Sequence, residues 1–352
     1  MKAPRRLNCR NAALRPQQGM TLVEVMIALA ISMVLLTGVL QIMLSSKQTY
    51  RIQEGTARLQ ENGRFATQFL SEDLRMAGYS GCSSGIIPNN IVDLDGDGTP
   101  DGISDFSTDG LLGFEYSGLP VTLTATETLT SAEVLSDTDV IVIMYGSTDE
   151  SLNLRGNMLS DNANIQVTST DMFTTGDILL ISDCMNSDIF AATSVSKGAI
   201  STTIAHASNV NTTTKLSKAY GADAMVMSLV KTAYYIGTNA AGVPALFRKR
   251  MVGANVQTEE LVEGVENLQI LYGEDLDADG VANRYVHADD VGNFANVVSV
   301  RFAMLLQTPE EVNTQADTSD YTLLDEVYDP VDDRRLRRIF STTVKLRNRS
   351  MG

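Results

Sequence analysis

Residues 17–44 read QQGMTLVEVMIALAISMVLLTGVLQIML, and this stretch decides the fold. From residue 25 to residue 44 no position carries a charge. As a helix rising about 1.5 Å per residue, that run covers ~30 Å, the hydrocarbon thickness of a bilayer. A cleaved secretory signal has a shorter apolar region, followed by a small-residue cleavage site. Here the run is longer and no such site follows it, so the segment reads as a retained membrane span. Ahead of it stand Lys2, Arg5, Arg6, Arg10 and Arg15, with no acid among the first nineteen residues. A basic head before the span and an acidic body after it orient the N-terminus inward. Glu24 does not suit an ordinary span. A carboxylate at membrane depth is costly and is kept mostly where it has a partner.

The string around Gly19 and Glu24 resembles the class III signal of type IV prepilins and type II secretion pseudopilins. The resemblance implies cleavage between Gly19 and Met20 by prepilin peptidase and N-methylation of Met20. It also implies an assembly role for Glu24, whose carboxylate would pair with the N-terminal ammonium of a neighbouring subunit. Met20 departs from the family's usual phenylalanine. Residues 61–82 (ENGRFATQFLSEDLRMAGYSGC) and 334–349 (RRLRRIFSTTVKLRNR) are similar to the equivalent regions of PilW-like minor pilins. By that resemblance the chain is a structural subunit that primes or caps type IV pilus assembly, with other minor pilins and the major pilin as partners. It would be single-pass in the inner membrane, N-terminus cytoplasmic and head periplasmic, and then join the pilus, with the tip one candidate place. The alternatives are a minor pseudopilin of type II secretion and a calcium-dependent tip adhesin or sensor.

The expected organisation is a cleaved leader (1–19), a transmembrane helix (20–44), its periplasmic continuation (45–79) and a β-rich globular head (80–352). Residues 45–79 lack proline and carry an apolar stripe through Ile52, Leu59, Ala66, Phe69, Leu70, Leu74 and Ala77, a heptad-like helical period. Gly38, Gly55 and Gly63 are points where such a helix would loosen. After residue 82 short β-rich runs take over at 111–116, 121–125, 140–145, 177–182, 225–236, 245–250, 266–272, 297–306 and 340–346. A hairpin is expected across 237–244. Helix first and strands afterwards give an α+β, type IV pilin-like fold, the long helix packed on an antiparallel β-sheet. The chain is longer than a minimal pilin, so an inserted β-rich region or sub-lobe is expected around 83–220.

Asp and Glu total 43 against 27 Lys and Arg, a net charge of −16. Loss of the five leader cations takes it to −21, which argues against nucleic acid as a general partner. The cysteines are Cys9, Cys82 and Cys184. If Cys9 leaves with the leader, Cys82 and Cys184 are candidates for one disulfide in an oxidising periplasm.

Two acidic loops follow the calcium-loop order. The first offers Asp93, Asp95, Asp97, Thr99 and Asp101, and the second Asp275, Asp277, Asp279, Val281 and Asn283, the residue at position seven through its backbone carbonyl. Alternate acids in a tight turn converge their oxygens. The twelfth position is Ser104 in one loop and Val286 in the other, so neither is a complete EF-hand, and Asp105 is a substitute ligand in the first. A solvated Asp/Gly turn is the plainer reading. No cofactor is required, and calcium is the one candidate.

Signals for catalysis are poor. Gly81-Cys82-Ser83-Ser84-Gly85 matches G-x-S-x-G, but no strand-to-helix elbow is expected there. The only histidines, His206 and His287, sit in polar stretches without base-like or metal-ligand spacing. The chain reads as no enzyme. Arg334, Arg335, Arg337, Arg338, Lys345, Arg347 and Arg349 form a basic cluster, expected to be the polar face of a final strand.

Overall fold

Between Pro16 and Pro88 the chain contains no proline, and one helix, α1 (Leu22–Met76), occupies most of that interval. The computed structural model describes residues 19–81, 87–100, 110–123, 127–253 and 255–348. Thr21 caps α1: its Oγ1 accepts the Glu24 N–H at 3.3 Å, and the Thr-x-x-Glu spacing is that of a capping box. Gly78, with φ 74°, ends the helix, because only glycine adopts the left-handed conformation there without strain.

Contacts divide the chain after Gln53. Up to that point the apolar side chains of α1 are bare: Leu22 is 77% exposed and Val34 73%, a surface that water alone does not tolerate over such a length. Ser32 and Thr37 turn their hydroxyls back onto the carbonyls of Ala28 and Met33, so neither needs water as a partner. Every buried residue of α1 lies at Gly55 or beyond.

The rest of the chain is β-rich. In order come β1 (Asn89–Asn90), β2 (Leu111–Phe114), β3 (Val121–Thr122), β4 (Thr128–Leu129) and β5 (Val140–Asn153). Next are β6 (Ile165–Thr168), β7 (Ile178–Ser182), β8 (Ser187–Ala191), β9 (Ser194–Lys197) and β10 (Ser201–Ala205). The last are β11 (Met225–Thr238), β12 (Pro244–Val252), β13 (Asn255–Glu263), β14 (Val265–Glu274), β15 (Arg284–Val286), β16 (Val297–Gln307), β17 (Tyr321–Leu323), β18 (Glu326–Tyr328) and β19 (Arg337–Lys345). A long N-terminal apolar helix and a β-rich head make the chain α+β.

An eight-stranded sheet is built on β11, which pairs with β5 along one edge and with β7 and then β12 along the other. β11 and β12 form the hairpin expected across 237–244, with Thr238 opposite Pro244. The sheet is mixed rather than antiparallel throughout, because β1 runs parallel to β8. Asp188 of β8 makes that join. Fully buried, it accepts from Asn89 Nδ2 at 2.6 Å, Ser217 Oγ at 2.6 Å and Tyr220 Oη at 2.5 Å.

A second sheet has the order β15-β14-β16-β19, all antiparallel. Gly264 is the corner between the sheets, at φ 86°, and a Cβ there would stand 2.6 Å from the Gln307 carbonyl oxygen. Leu59, Ala66, Leu70 and Leu74 of α1 share one core with Ile141 and Tyr234 of the larger sheet and Ile270 and Phe302 of the smaller. Each leucine, isoleucine and phenylalanine among them contributes roughly 1.5–3 kcal/mol by its burial. A separate core, with Phe173, Phe190 and Leu216, lies under β6-β10-β9.

Gly55 and Gly63 do not loosen the helix. They are close-approach points: a Cβ on Gly63 would stand 2.3 Å from the Phe340 ring of β19. β13, β9 and β10 were not expected from the sequence, since NVQTEELVE, SVSK and STTIA lack the apolar density of a core strand.

Candidate functional site

Gly19 and Met20 are exposed ahead of the capped helix start. Glu24 occupies the first turn, where the partial positive charge of the helix N-terminus favours a carboxylate. Its backbone N–H is spent on Thr21, which leaves the exposed side chain to reach a partner. A basic group brought alongside would gain an ion pair in a medium where charges are weakly screened.

The two acidic loops differ in setting. The first follows Val92, which bridges to Asn211. Buried Asp93 receives the N–H groups of Gly96 at 2.8 Å and Gly98 at 3.1 Å. The hydroxyl and N–H of Thr99 hold the Asp97 carboxyl below its ordinary range. Asp101, Ser104 and Asp105 lie outside the described residues. The second loop joins β14 to β15. Asp275 accepts from Gly280 N at 2.7 Å and Asp277 N at 3.2 Å. Desolvation acts to raise the Asp275 carboxyl, but the N–H groups of Gly280, Ala278 and Asp277 outweigh it and hold it low. Asn283 folds inward, taking the Leu276 N–H at 2.6 Å and donating to Asp277 at 3.3 Å. Val281 exposes its side chain and has only its carbonyl to offer. In each loop the three aspartates bring one oxygen apiece within 4.8 Å of one another, a spacing a calcium ion bridges.

Cys184 follows β7 with φ 71°, and Cys82 lies outside the described residues, as do Ser83, Ser84 and Gly85. His206 is not in a polar loop: it is buried, its Nε2 lies 3.1 Å from the Ala163 carbonyl, and its ring meets Phe190 edge-on. His287 stands beside Asp325 at 3.2 Å and Glu115 at 3.7 Å.

The basic cluster is not uniformly a polar face. Arg337 is withdrawn from solvent, paired with Glu266 at 2.8 Å and Asp333 at 2.8 Å, while Arg334 and Arg335 pair with Glu311 and Asp333 on the surface. Arg349 lies outside the described residues.

Two polar sites were invisible in the sequence. Asp73 of α1 accepts from Tyr145 Oη at 2.9 Å and Tyr234 Oη at 2.7 Å, tying the helix to β5 and β11. Asp139 and Glu115 face one another in a pocket of about 290 Å³ with Glu326 on its rim. Burial, then the Glu115 charge, pushes the Asp139 carboxyl up to about 9.

A family model described as prokaryotic N-terminal methylation motif matches residues 14–40, and one described as type IV pilus-assembly protein W matches residues 233–348. Those two matches support a PilW-like type IV minor pilin. No curated protein and no solved structure matches it. The methylation motif takes in Gly19, Met20 and Glu24, and its class III signal together with the apolar helix fits an inner-membrane-anchored pilin. The PilW-like part runs from within β11 through β19 and so contains the smaller sheet and the second acidic loop, whereas the first acidic loop falls outside it.

Proposed function

We propose that the chain primes or caps type IV pilus assembly as one member of a minor-pilin complex that also meets the major pilin. The observation that carries this reading is the exposed helix that starts at a Thr21 cap with Glu24 in its first turn and runs uncharged from residue 25 to 44, directly after Gly19–Met20. In this reading prepilin peptidase cuts between Gly19 and Met20, and Met20 is N-methylated. Glu24 then pairs with a neighbour's terminal ammonium. The leader side stays cytoplasmic while the head is periplasmic, and the subunit later enters the pilus, at its tip. Its work is packing rather than catalysis. The match over residues 233–348 favours the pilus over a type II secretion pseudopilin.

The test is Glu24→Ala in the full chain. Co-purification of other pilins and piliation should fall, while circular dichroism of the head stays that of the wild type. Unchanged co-purification together with unchanged piliation overturns the reading.

Two features of the head belong to the same proposal. Cys82 is the partner of Cys184, supported by the approach of Gly81 to Ser182, where an added Cβ would stand 2.5 Å from the serine oxygen. The loops at Asp93–Asp95–Asp97 and Asp275–Asp277–Asp279 hold calcium weakly, supported by the convergence of their oxygens. A calcium-dependent tip adhesin is the second function those loops favour.

A further inference from the structure

β19 is an outer strand of the smaller sheet, paired with β16 on one side only. In an antiparallel pair, opposed residues alternate between exchanging both backbone bonds and exchanging none. Leu346 N donates to Val298 O at 2.9 Å and Thr308 N to Leu336 O at 2.9 Å. With the register of β16 and β19 unbroken between those points, the even-numbered residues of β19 bond inward. Ile339, Ser341, Thr343 and Lys345 therefore turn their N–H and C=O groups outward. Among the described residues no backbone group takes them up, and Ser341, Thr343 and Lys345 are exposed.

Beside that edge an open groove of about 500 Å³ runs between α1, at Thr67 and Ser71, and β19, at Phe340 and Thr342. Its surroundings are basic. Arg338, Lys345 and Arg347 from the strand side and Arg64 and Arg75 from α1 are all exposed, and among the described residues none forms an ion pair. In a chain of net charge −16 this is a concentration of unneutralised cations along one unpaired strand. An exposed edge of this length normally invites pairing and is guarded against it. Among the described residues no strand covers it.

We infer that β19 is a docking edge, and that its occupant is an extended acidic segment of another pilin-type subunit, added as a fifth strand of the smaller sheet. Outward N–H and C=O groups give the strand its hold, and the flanking cations choose an acidic partner. A second copy of this chain is a poorer fit. Its own outer strand β13 is acidic, but Glu259 is already paired with Arg248 and Glu260 accepts from Asn239. The inference rests on the pilus-subunit reading and names the surface that reading requires.

The experiment uses the full chain, extracted from membranes with its associated subunits and carrying a photo-cross-linking residue at position 343. The expected product is an adduct to a different protein with a class III signal, through an acidic peptide of that protein. Arg338→Glu with Lys345→Glu should lower that partner's recovery by about tenfold or more. Ser341→Pro should lower it as well, since it removes an outward N–H and no ladder bond. The charge-reversed chain keeps its buried core, so its melting temperature should match the wild type. An adduct to a second copy overturns the inference and leaves the functional reading standing. So does full recovery of the partner with the charge-reversed chain. If no pilin-type subunit accompanies the wild type, the functional reading and the inference fall together.

Discussion

Asp139 is an acid held inside the head, beside the carboxylate of Glu115. It precedes an apolar strand and looks like a turn acid, yet it is buried, accepts the Ile270 N–H at 2.7 Å and faces Glu115. Tyr272 Oη is buried and has no hydrogen-bond partner among the described residues. In the unfolded chain the Asp139 carboxyl titrates at its ordinary 3.8, and in the folded protein at about 9. Between those values the folded state holds the extra proton, so the contribution of this group to stability falls as pH rises through that window. Asp139→Asn keeps an acceptor for Ile270 and cannot ionise. Its melting temperature relative to the wild type should therefore rise steadily from pH 4 to pH 9. Thermal melts across that range check it, and a constant difference between the two proteins would count against the assignment. The sequence held no trace of this site, because Glu115, Asp139 and Glu326 meet only through pairing of distant segments.

At the scale of the element, α1 was legible almost throughout. The absence of proline, the uncharged run and the apolar stripe are all local, and local patterns are what a helix obeys. The Thr21 cap was found only in the structure. The role of its glycines was not legible. Read by propensity, Gly63 weakens the helix; read in place, it admits the Phe340 ring and lets the helix lie close on β19. Gly63→Val should therefore destabilise the head by about 1–3 kcal/mol through overpacking, despite the better helix former. Phe340→Ala should remove much of that penalty in a double-mutant cycle, with denaturant titration as the measure. Additive losses would show that Gly63 and Phe340 do not meet. Strands followed the same division. β11, β12, β14 and β16 are apolar enough to be read directly, whereas β13 is polar because one of its edges meets no strand.

At the scale of the whole molecule, calcium is the ligand whose effect would be global. An ion that binds only the folded head stabilises it by mass action, about 1.4 kcal/mol at ten times the dissociation constant. Millimolar calcium should raise the melting temperature of the full chain by a few degrees, with heat of binding in a titration. Asp275→Asn with Asp277→Asn should remove part of both effects. No heat and no shift at millimolar calcium would remove calcium from the proposal. By itself the sequence determined the uncharged span, the signal spacing at Gly19, Met20 and Glu24, and a helix followed by strands. Each of these is written in neighbouring residues, through period and charge. Only the tertiary structure decided that β11 carries β5 on one edge and β7 and β12 on the other, that the chain turns between sheets at Gly264, that Arg337 lies inside while Arg338 lies outside, and that β19 is left with a bare edge. These depend on which distant segments pair, and the free energy that selects the pairing comes from burial shared among them, which no single segment records.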